Sequence, residues 1–139
     1  MIFKKYSPIG ELGTFATQYA DSLAKNSGHP ICITDKDTVI AVSGVPKKDF
    51  NEKRISSELE KVMDDKSAIF VKPSDDKKLS VVDGVEKYLA GVVVPIISEG
   101  DSIGTVVFFG DDNQVPELSE VEDKLAKTAA TFLGSQMEE

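Results

Sequence analysis

Two side chains of this 139-residue sequence have chemistry that no other residue in it shares. His29, the only histidine, follows a glycine and precedes a proline, so it could serve as a general base, although a solvated loop position is the better interpretation. Cys32, the only cysteine, lies between two isoleucines, which predicts a small buried hydrophobic residue. One thiol can form neither a disulfide framework nor a zinc quartet.

Paired carboxylates and clustered bases are the other candidates for chemistry. The carboxylates could bind a metal, but they lie beside lysines in stretches typical of turns: Asp35 with Asp37, and Asp75 with Asp76. The bases could form an anion-binding rim or an ordinary solvated connection: Lys47, Lys48, Lys53 and Arg54. There is no glycine-rich phosphate loop and no recognisable nucleophile motif. The sequence therefore predicts no enzyme, no cofactor and no metal site.

Composition limits the partners and the compartment. The net charge is −8, and residues 111–139 carry eight acids against two bases, so this surface should repel nucleic acid. No apolar run approaches the ~20 residues of a membrane span, and no signal peptide is visible. We expect a cytoplasmic protein without membrane contact. The length and 40% hydrophobic content suit one domain with a real core.

Long helices are predicted near both ends of the chain. Apolar residues recur at three- and four-residue spacing over 8–26, between a Ser7-Pro8 start and a Gly28 stop. A capping box at 119–122 begins a second amphipathic pattern, which predicts a helix over 119–137. The spacing of Ser57 and Glu60 predicts a shorter helix over 56–65, with Ser57 in its capping box.

The strongest strand signal is a hairpin over 89–111, where two apolar runs flank a turn at Gly100. Both runs are apolar on both faces, which predicts the centre of a layered sheet. Pro95 in the first run predicts a bulge, or an amide position that faces outward. A second hairpin is predicted from strands at 30–34 and 38–43, and short strands are predicted at 68–71 and 79–82.

This element order predicts an α/β (α+β) fold. Strands joined by tight turns must be antiparallel, which gives a central antiparallel sheet of about six strands. Small residues on the terminal helices would permit close helix packing, so we expect both of these helices on one face of the sheet.

Two short sequence motifs connect this pattern of elements with a known fold. Pro95-Ile96 on one central strand and Ile103-Gly104 at the start of the next resemble GAF domains, which are small sensor modules related to PAS domains. Longer stretches are similar to the C-terminal regulatory domains of AbrB-like sporulation transcription regulators: 3–13, 40–44, 47–50, 128–133 and 136–138. The resemblance covers nearly the whole chain.

The resemblance implies two domains with different roles. Residues 1–6 would be the end of a linker or strand from an upstream DNA-binding domain, and 7–139 would form a single GAF-like domain. DNA would then be a partner only through that upstream domain. A GAF-type methionine sulfoxide reductase would need several cysteines for its redox cycle, and Cys32 is alone.

GAF-like folds usually hold a small molecule between the sheet and a crossing segment, here residues 45–88, on the face away from the terminal helices. The resemblance therefore implies an effector pocket, for which the candidate lining residues are Ser43, Phe50, Phe70, Tyr88 and Val94. The alternative is that Phe50 and Phe70 fill this space as a second small core. The effector itself is not identified by any motif.

The terminal helices have apolar stripes wider than one sheet face needs, which predicts a homodimer or tetramer. The expected interface residues are Leu12, Ala16, Tyr19, Leu125, Ala129, Phe132, Leu133 and Met137. We therefore expect a regulatory module that senses a small molecule and holds subunits together. A purely structural oligomerisation domain is the main alternative. A cleft with His29 beside a carboxylate would favour an enzyme, and salt-dependent binding to duplex DNA would favour direct DNA contact.

Overall fold

Three helices and six strands make up the described part of the chain. The computed structural model describes residues 13–46, 48, 50, 53–75, 78–83, 85–110 and 114–136, with the backbone alone at 13–15 and 85–86. The elements are α1 (Gly13–Ser27), β1 (Ile31–Thr34), β2 (Val39–Ser43), α2 (Ser57–Asp65), β3 (Ile69–Phe70), β4 (Ser80–Val82), β5 (Val85–Ser98), β6 (Asp101–Gly110) and α3 (Glu120–Gln136).

The strands form one antiparallel sheet in the order β2-β1-β6-β5-β3, with β4 also paired to β5. The predicted hairpin at 89–111 is its centre. Glu99 and Gly100 turn the chain with φ of 53° and 89°, as the favoured two-residue hairpin turn requires. The α+β arrangement and the number of strands predicted from the sequence are both confirmed.

Pro95 lies at an open edge of the sheet. The Val71 amide donates to the Gly91 carbonyl at 2.6 Å, and Ile69 pairs with Val93. Because backbone polar groups alternate between the two sides of a strand, the Pro95 nitrogen points to the same side, past the end of β3. The missing amide therefore removes no ladder hydrogen bond from the described pairs. The register shifts in β5 fall elsewhere, between Ala90 and Val92 and between Ile96 and Ile97.

The sheet is covered on both faces, as its doubly apolar central strands require. One face packs against both terminal helices: Ala16, Ala20 and Leu23 of α1 share a core with Ala126, Ala129, Ala130 and Leu133 of α3. The opposite face packs against α2 and the segment that crosses the sheet. The predicted placement of both terminal helices on one face is confirmed.

The N-cap of helix α2 lies one residue before the position that the sequence predicted. Ser56, not Ser57, is the N-cap, and its hydroxyl accepts from the Leu59 amide at 3.2 Å. Ser56 is better placed because its hydroxyl also donates to the Ser80 carbonyl at 2.5 Å, which ties the helix start to β4. The helix ends at Lys66, whose left-handed backbone (φ 54°) lets its amide donate to two helix carbonyls.

Helix α3 begins with the capping box that the sequence predicted. The Ser119 amide donates to the Glu122 carboxylate at 2.7 Å, and the Val121 amide donates to the Ser119 hydroxyl at 3.1 Å. The predicted first turn of the N-terminal helix, residues 8–12, lies outside the described residues. Among the helices described, none has the length and apolar character that crossing a bilayer demands.

Candidate functional site

Three aromatic rings fill the space beneath the crossing segment. Phe50 and Tyr88 are each 1% exposed and their ring centroids are 4.7 Å apart. Phe109 of β6 lies 5.5 Å from both rings. Such distances are typical of attractive aromatic pairs. This part of the expected effector pocket is therefore occupied by side chains.

The other three predicted pocket residues lie on the opposite face of the sheet. Phe70 and Val94 pack with the core shared by the terminal helices. Ser43 pairs directly with Ile31, a member of that same core, and residues opposite each other on neighbouring strands share a face. The five residues therefore do not line one cavity, because side chains alternate between faces along each strand. This corrects the lining predicted from the sequence.

An open cavity lies instead at one end of the sheet, beside the β5–β6 turn. Its volume is about 380 Å³, within the range of small-molecule sites. We call it the tip pocket, and its lining residues are Lys36, Glu60, Met63, Asp64, Lys66, Asp101 and Ser102. They come from the β1–β2 turn, the end of α2 and the start of β6. No single stretch of sequence carries them, so no motif could have indicated this site.

Two hydrogen bonds join the end of α2 to the β5–β6 hairpin at the tip pocket. The Lys66 ammonium donates to the Gly100 carbonyl at 2.6 Å. The Ser102 hydroxyl, which is nearly buried, donates to the Met63 carbonyl at 2.7 Å. These bonds satisfy one of the last helix carbonyls and hold one wall of the pocket to another.

A second cavity of about 430 Å³ lies between β5 and α3. It is lined by Val94, Pro95, Ile97, Lys127, Ala130, Thr131 and Ser135. Among the described residues of its lining, Lys127 alone is charged, and the Lys127 ammonium is already paired with Asp123 at 3.1 Å. This cavity therefore offers a ligand less charge than the tip pocket does.

The residues predicted for the oligomer interface divide into three groups. Ala16, Ala129 and Leu133 are at most 1% exposed and pack within the chain, so they present no surface to a partner. This corrects their assignment, and the reason is that the sheet already covers this side of both helices. Leu12 and Met137 lie outside the described residues. Tyr19, Leu125 and Phe132 remain at least partly accessible.

The accessible members belong to an apolar surface that bridges the terminal helices. We call this surface the outer stripe: Tyr19 of α1 with Val121, Leu125, Thr128 and Phe132 of α3. Val121 is 60% exposed and Phe132 is 38% exposed. The Tyr19 and Phe132 rings lie 5.2 Å apart and so connect the two helices. Val121 was not among the predicted interface residues, although its spacing from Leu125 and Phe132 places it on the same helix face.

His29 lies near a carboxylate, the arrangement that would favour an enzyme. Its Nε2 atom is 3.9 Å from Oε2 of Glu122. However, the other carboxylate oxygen of Glu122 accepts hydrogen bonds from the amide and hydroxyl of Ser119, at 2.7 and 2.9 Å. Neither His29 nor Glu122 lines either cavity described above. The pair therefore fits a junction between the end of α1 and the start of α3.

The pKa of Glu122 is lowered from its usual range. Burial of the carboxyl opposes its ionisation, but the hydrogen bonds from Ser119 and the nearby His29 imidazole outweigh that effect. A charged Glu122 therefore stabilises the start of α3, where a negative charge is also favoured by the helix dipole.

Cys32, Asp35 and Asp75 have structural roles, whereas Lys47 and Asp76 lie outside the described residues. Burial raises the pKa of the Cys32 thiol far above its usual range, so its reactive thiolate is suppressed. The Asp35 carboxylate accepts from the amides of Asp37 and Thr38 at 2.7 and 2.8 Å, which builds the β1–β2 turn. Asp75 likewise accepts from the Lys72 amide at 2.9 Å. Within the described residues no group of three metal-ligating side chains converges.

The chain is similar in sequence to known proteins over nearly its whole length. The family model of the stage V sporulation protein T C-terminal domain, a transcription factor, matches residues 11–138. Stage V sporulation protein T of Bacillus subtilis (strain 168) is 46% identical over 140 residues. That alignment covers all of this chain and 76% of the relative.

Solved structures agree on the fold. The GAF domain of an Acinetobacter phosphoenolpyruvate-protein phosphotransferase has a TM-score of 0.66 at 17% identity, covering 96% of this chain and 84% of that one. The cofactor-binding GAF domain of the nutrient sensor CodY from Clostridium difficile has a TM-score of 0.58 at 17% identity, covering 85% and 81%. A type II free methionine-R-sulfoxide reductase from Thermoplasma acidophilum has a TM-score of 0.64 at 11% identity, covering 93% and 94%. The described fold is therefore that of a GAF domain.

Proposed function

Because this chain belongs to the family of stage V sporulation protein T C-terminal domains, which are transcription-factor domains, we propose that it is the regulatory module of a sporulation regulator. It self-associates through the outer stripe, and the geometry of that association sets the affinity of the full-length protein for DNA. DNA contact itself belongs to a separate domain, since the net charge of −8 opposes binding to phosphates.

The observation that carries this proposal is the outer stripe. Val121 and Phe132 lie on one face of α3, 60% and 38% exposed, and large exposed apolar side chains in a contiguous patch mark interaction surfaces. Tyr19 extends the patch onto α1 by its ring contact with Phe132. A second copy with the same stripe could cover it symmetrically, as in most homodimers.

The experiment compares two glutamate substitutions on α3 by sedimentation velocity. Phe132→Glu places a charge in the centre of the outer stripe and should convert the assembly to monomers. Thr131→Glu adds the same charge to the same helix, at an exposed position about 100° away, and should leave the assembly intact. Wild-type chain that sediments as a monomer, or a Phe132→Glu variant that stays assembled, would contradict the proposal.

The second part of the proposed function is the sensing of a small molecule. The CodY domain, described as a cofactor-binding domain of a nutrient sensor, has the same fold and supports this role by analogy. The effector does not bind between Phe50 and Tyr88, because those rings pack on Phe109 and are each 1% exposed. A ligand-free oligomerisation domain remains the competing proposal, and the filled aromatic core is the observation in its favour.

Catalysis is not part of the proposed function. The sulfoxide reductase shares the fold, but reduction of a sulfoxide by thiols needs a second sulfur to release the first. This chain has one cysteine, Cys32, which is buried and whose raised pKa keeps the thiol protonated. The family relationship to a transcription factor agrees with a regulatory role.

A further inference from the structure

The tip pocket contains charged side chains of both signs that do not neutralise one another. We propose that it binds a small zwitterion of amino-acid size, with one primary ammonium and one carboxylate. This inference rests on the proposed regulatory function, since it names the class of effector and where the effector binds. It concerns a different part of the molecule from the outer stripe.

Some charged side chains of the tip pocket already have partners in the chain, and others are available to a ligand. Glu60 is paired with Arg54 at 3.3 Å, and the Lys66 ammonium is bound to the Gly100 carbonyl. Over the described ranges, the side chains of Lys36, Asp64 and Asp101 make no hydrogen bond or ion pair. The Lys66 ammonium keeps its positive charge and its other two N–H donors, so the available groups are two cations and two anions around about 380 Å³.

These available groups favour a ligand that carries both charges. An ammonium would be attracted by Asp64, by Asp101 and by the C-terminal end of α2, where the helix dipole is negative. A carboxylate would be attracted by Lys36 of the β1–β2 turn and by the Lys66 ammonium. A simple anion would be repelled by the two aspartates, and a simple cation would leave Lys36 unpaired. The Met63 side chain, 6% exposed, supplies an apolar contact.

The position of the tip pocket would let a bound ligand change the position of α3. The pocket touches the β5–β6 hairpin through Asp101 and Ser102. On the opposite face of this hairpin, Gly134 of α3 lies so close to the Ile97 carbonyl that a Cβ atom would overlap its oxygen. A ligand that shifts the hairpin must therefore shift α3, which carries the outer stripe.

The test titrates the ¹⁵N-labelled chain with glycine and each of the nineteen common L-amino acids in turn, alongside butylamine and butyrate, and follows its amide resonances. We expect at least one amino acid to shift Lys66, Gly100 and Ser102 saturably, and to bind at least tenfold tighter than either single-charge probe. Asp101→Asn should weaken that binding about tenfold, or about 1.4 kcal/mol. Asp65→Asn is the matched control, because Asp65 is paired with Lys61 and lies outside the pocket lining.

Three results would overturn the inference. One is the absence of any saturable shift at these amides up to about 20 mM amino acid. Another is equal binding of butylamine or butyrate, which would show a site for a simple ion. The third is equal affinity in the Asp101→Asn and Asp65→Asn variants. None of these outcomes bears on self-association, so sedimentation of the same samples distinguishes failure of the pocket from failure of the proposed function.

Discussion

Glu122 shows how one side chain joins a sequence motif to the tertiary structure. Its spacing from Ser119 predicts the capping box, and the structure confirms the bond from the Ser119 amide to the Glu122 carboxylate. The Ser119 hydroxyl accepts from the amide of Val121, one residue before Glu122. Its proximity to His29, 3.9 Å away, follows only from the fold. The carboxylate thus caps α3 and faces the junction between α1 and β1, and its charge contributes to the stability of both.

Glu122→Gln should remove a stabilising contribution that depends on pH. Because the folded pKa of Glu122 is lowered, its contribution is complete above the ordinary glutamate pKa of about 4.3 and is lost as pH falls through the lowered value. Glutamine keeps an oxygen acceptor but has no charge. The difference in unfolding free energy between wild type and variant should therefore be largest near neutral pH and shrink in acid.

Urea unfolding at a series of pH values measures this difference. Glu120→Gln is the control, because Glu120 is exposed and belongs to the same helix turn but not to the capping box. A Glu122→Gln difference that stays constant from about pH 7 to about pH 3 would contradict the assigned role of the charge.

At the scale of elements, the backbone of α3 packs directly against the backbone of the β5–β6 hairpin at Gly134. Gly134 permits it, because a Cβ atom there would overlap the Ile97 carbonyl oxygen. The sequence offers no signal for this role, since a glycine near a helix end is equally typical of a cap.

Gly134→Ala tests whether that contact outweighs helix propensity. Propensity alone predicts that alanine stabilises the helix by about 1 kcal/mol. Overlap with a backbone oxygen predicts the opposite sign, a loss of about 1–3 kcal/mol, since the strand and helix must separate. Thermal or urea unfolding gives the sign directly. Ser135→Ala is the control, because Ser135 is exposed and propensity should prevail there. Stabilisation by Gly134→Ala would show that α3 is not held against the hairpin.

At the scale of the whole molecule, local sequence patterns predicted the helices and strands. Tertiary contacts determine which residues line the pockets and the interface. Periodicity and caps are local, so the sheet, the hairpin turn and the α3 start were predictable from the sequence. The sheet face to which an individual side chain points was not predictable, because a one-residue change of register or a bulge moves that side chain to the other face. Phe70 and Val94 were therefore grouped with Phe50 although the sheet separates them.

The same distinction explains the interface and the tip pocket. Amphipathic spacing cannot tell the side of a helix that meets the sheet from the side that meets a partner, so Ala16 and Leu133 were predicted for the wrong surface. The tip pocket gathers residues from three distant segments, from Lys36 to Ser102. Such a site follows from topology and has no sequence motif.

The measurement that tests the account most directly is DNA affinity in a chimera. Stage V sporulation protein T of Bacillus subtilis aligns with this chain over 76% of its length, so this chain can replace the matching region. If self-association of this module controls the DNA affinity of the full-length protein, Phe132→Glu should weaken binding of the chimera to DNA at least tenfold, about 1.4 kcal/mol. Thr131→Glu should leave that binding unchanged. Equal affinity of the two variants at the same salt concentration would contradict the account.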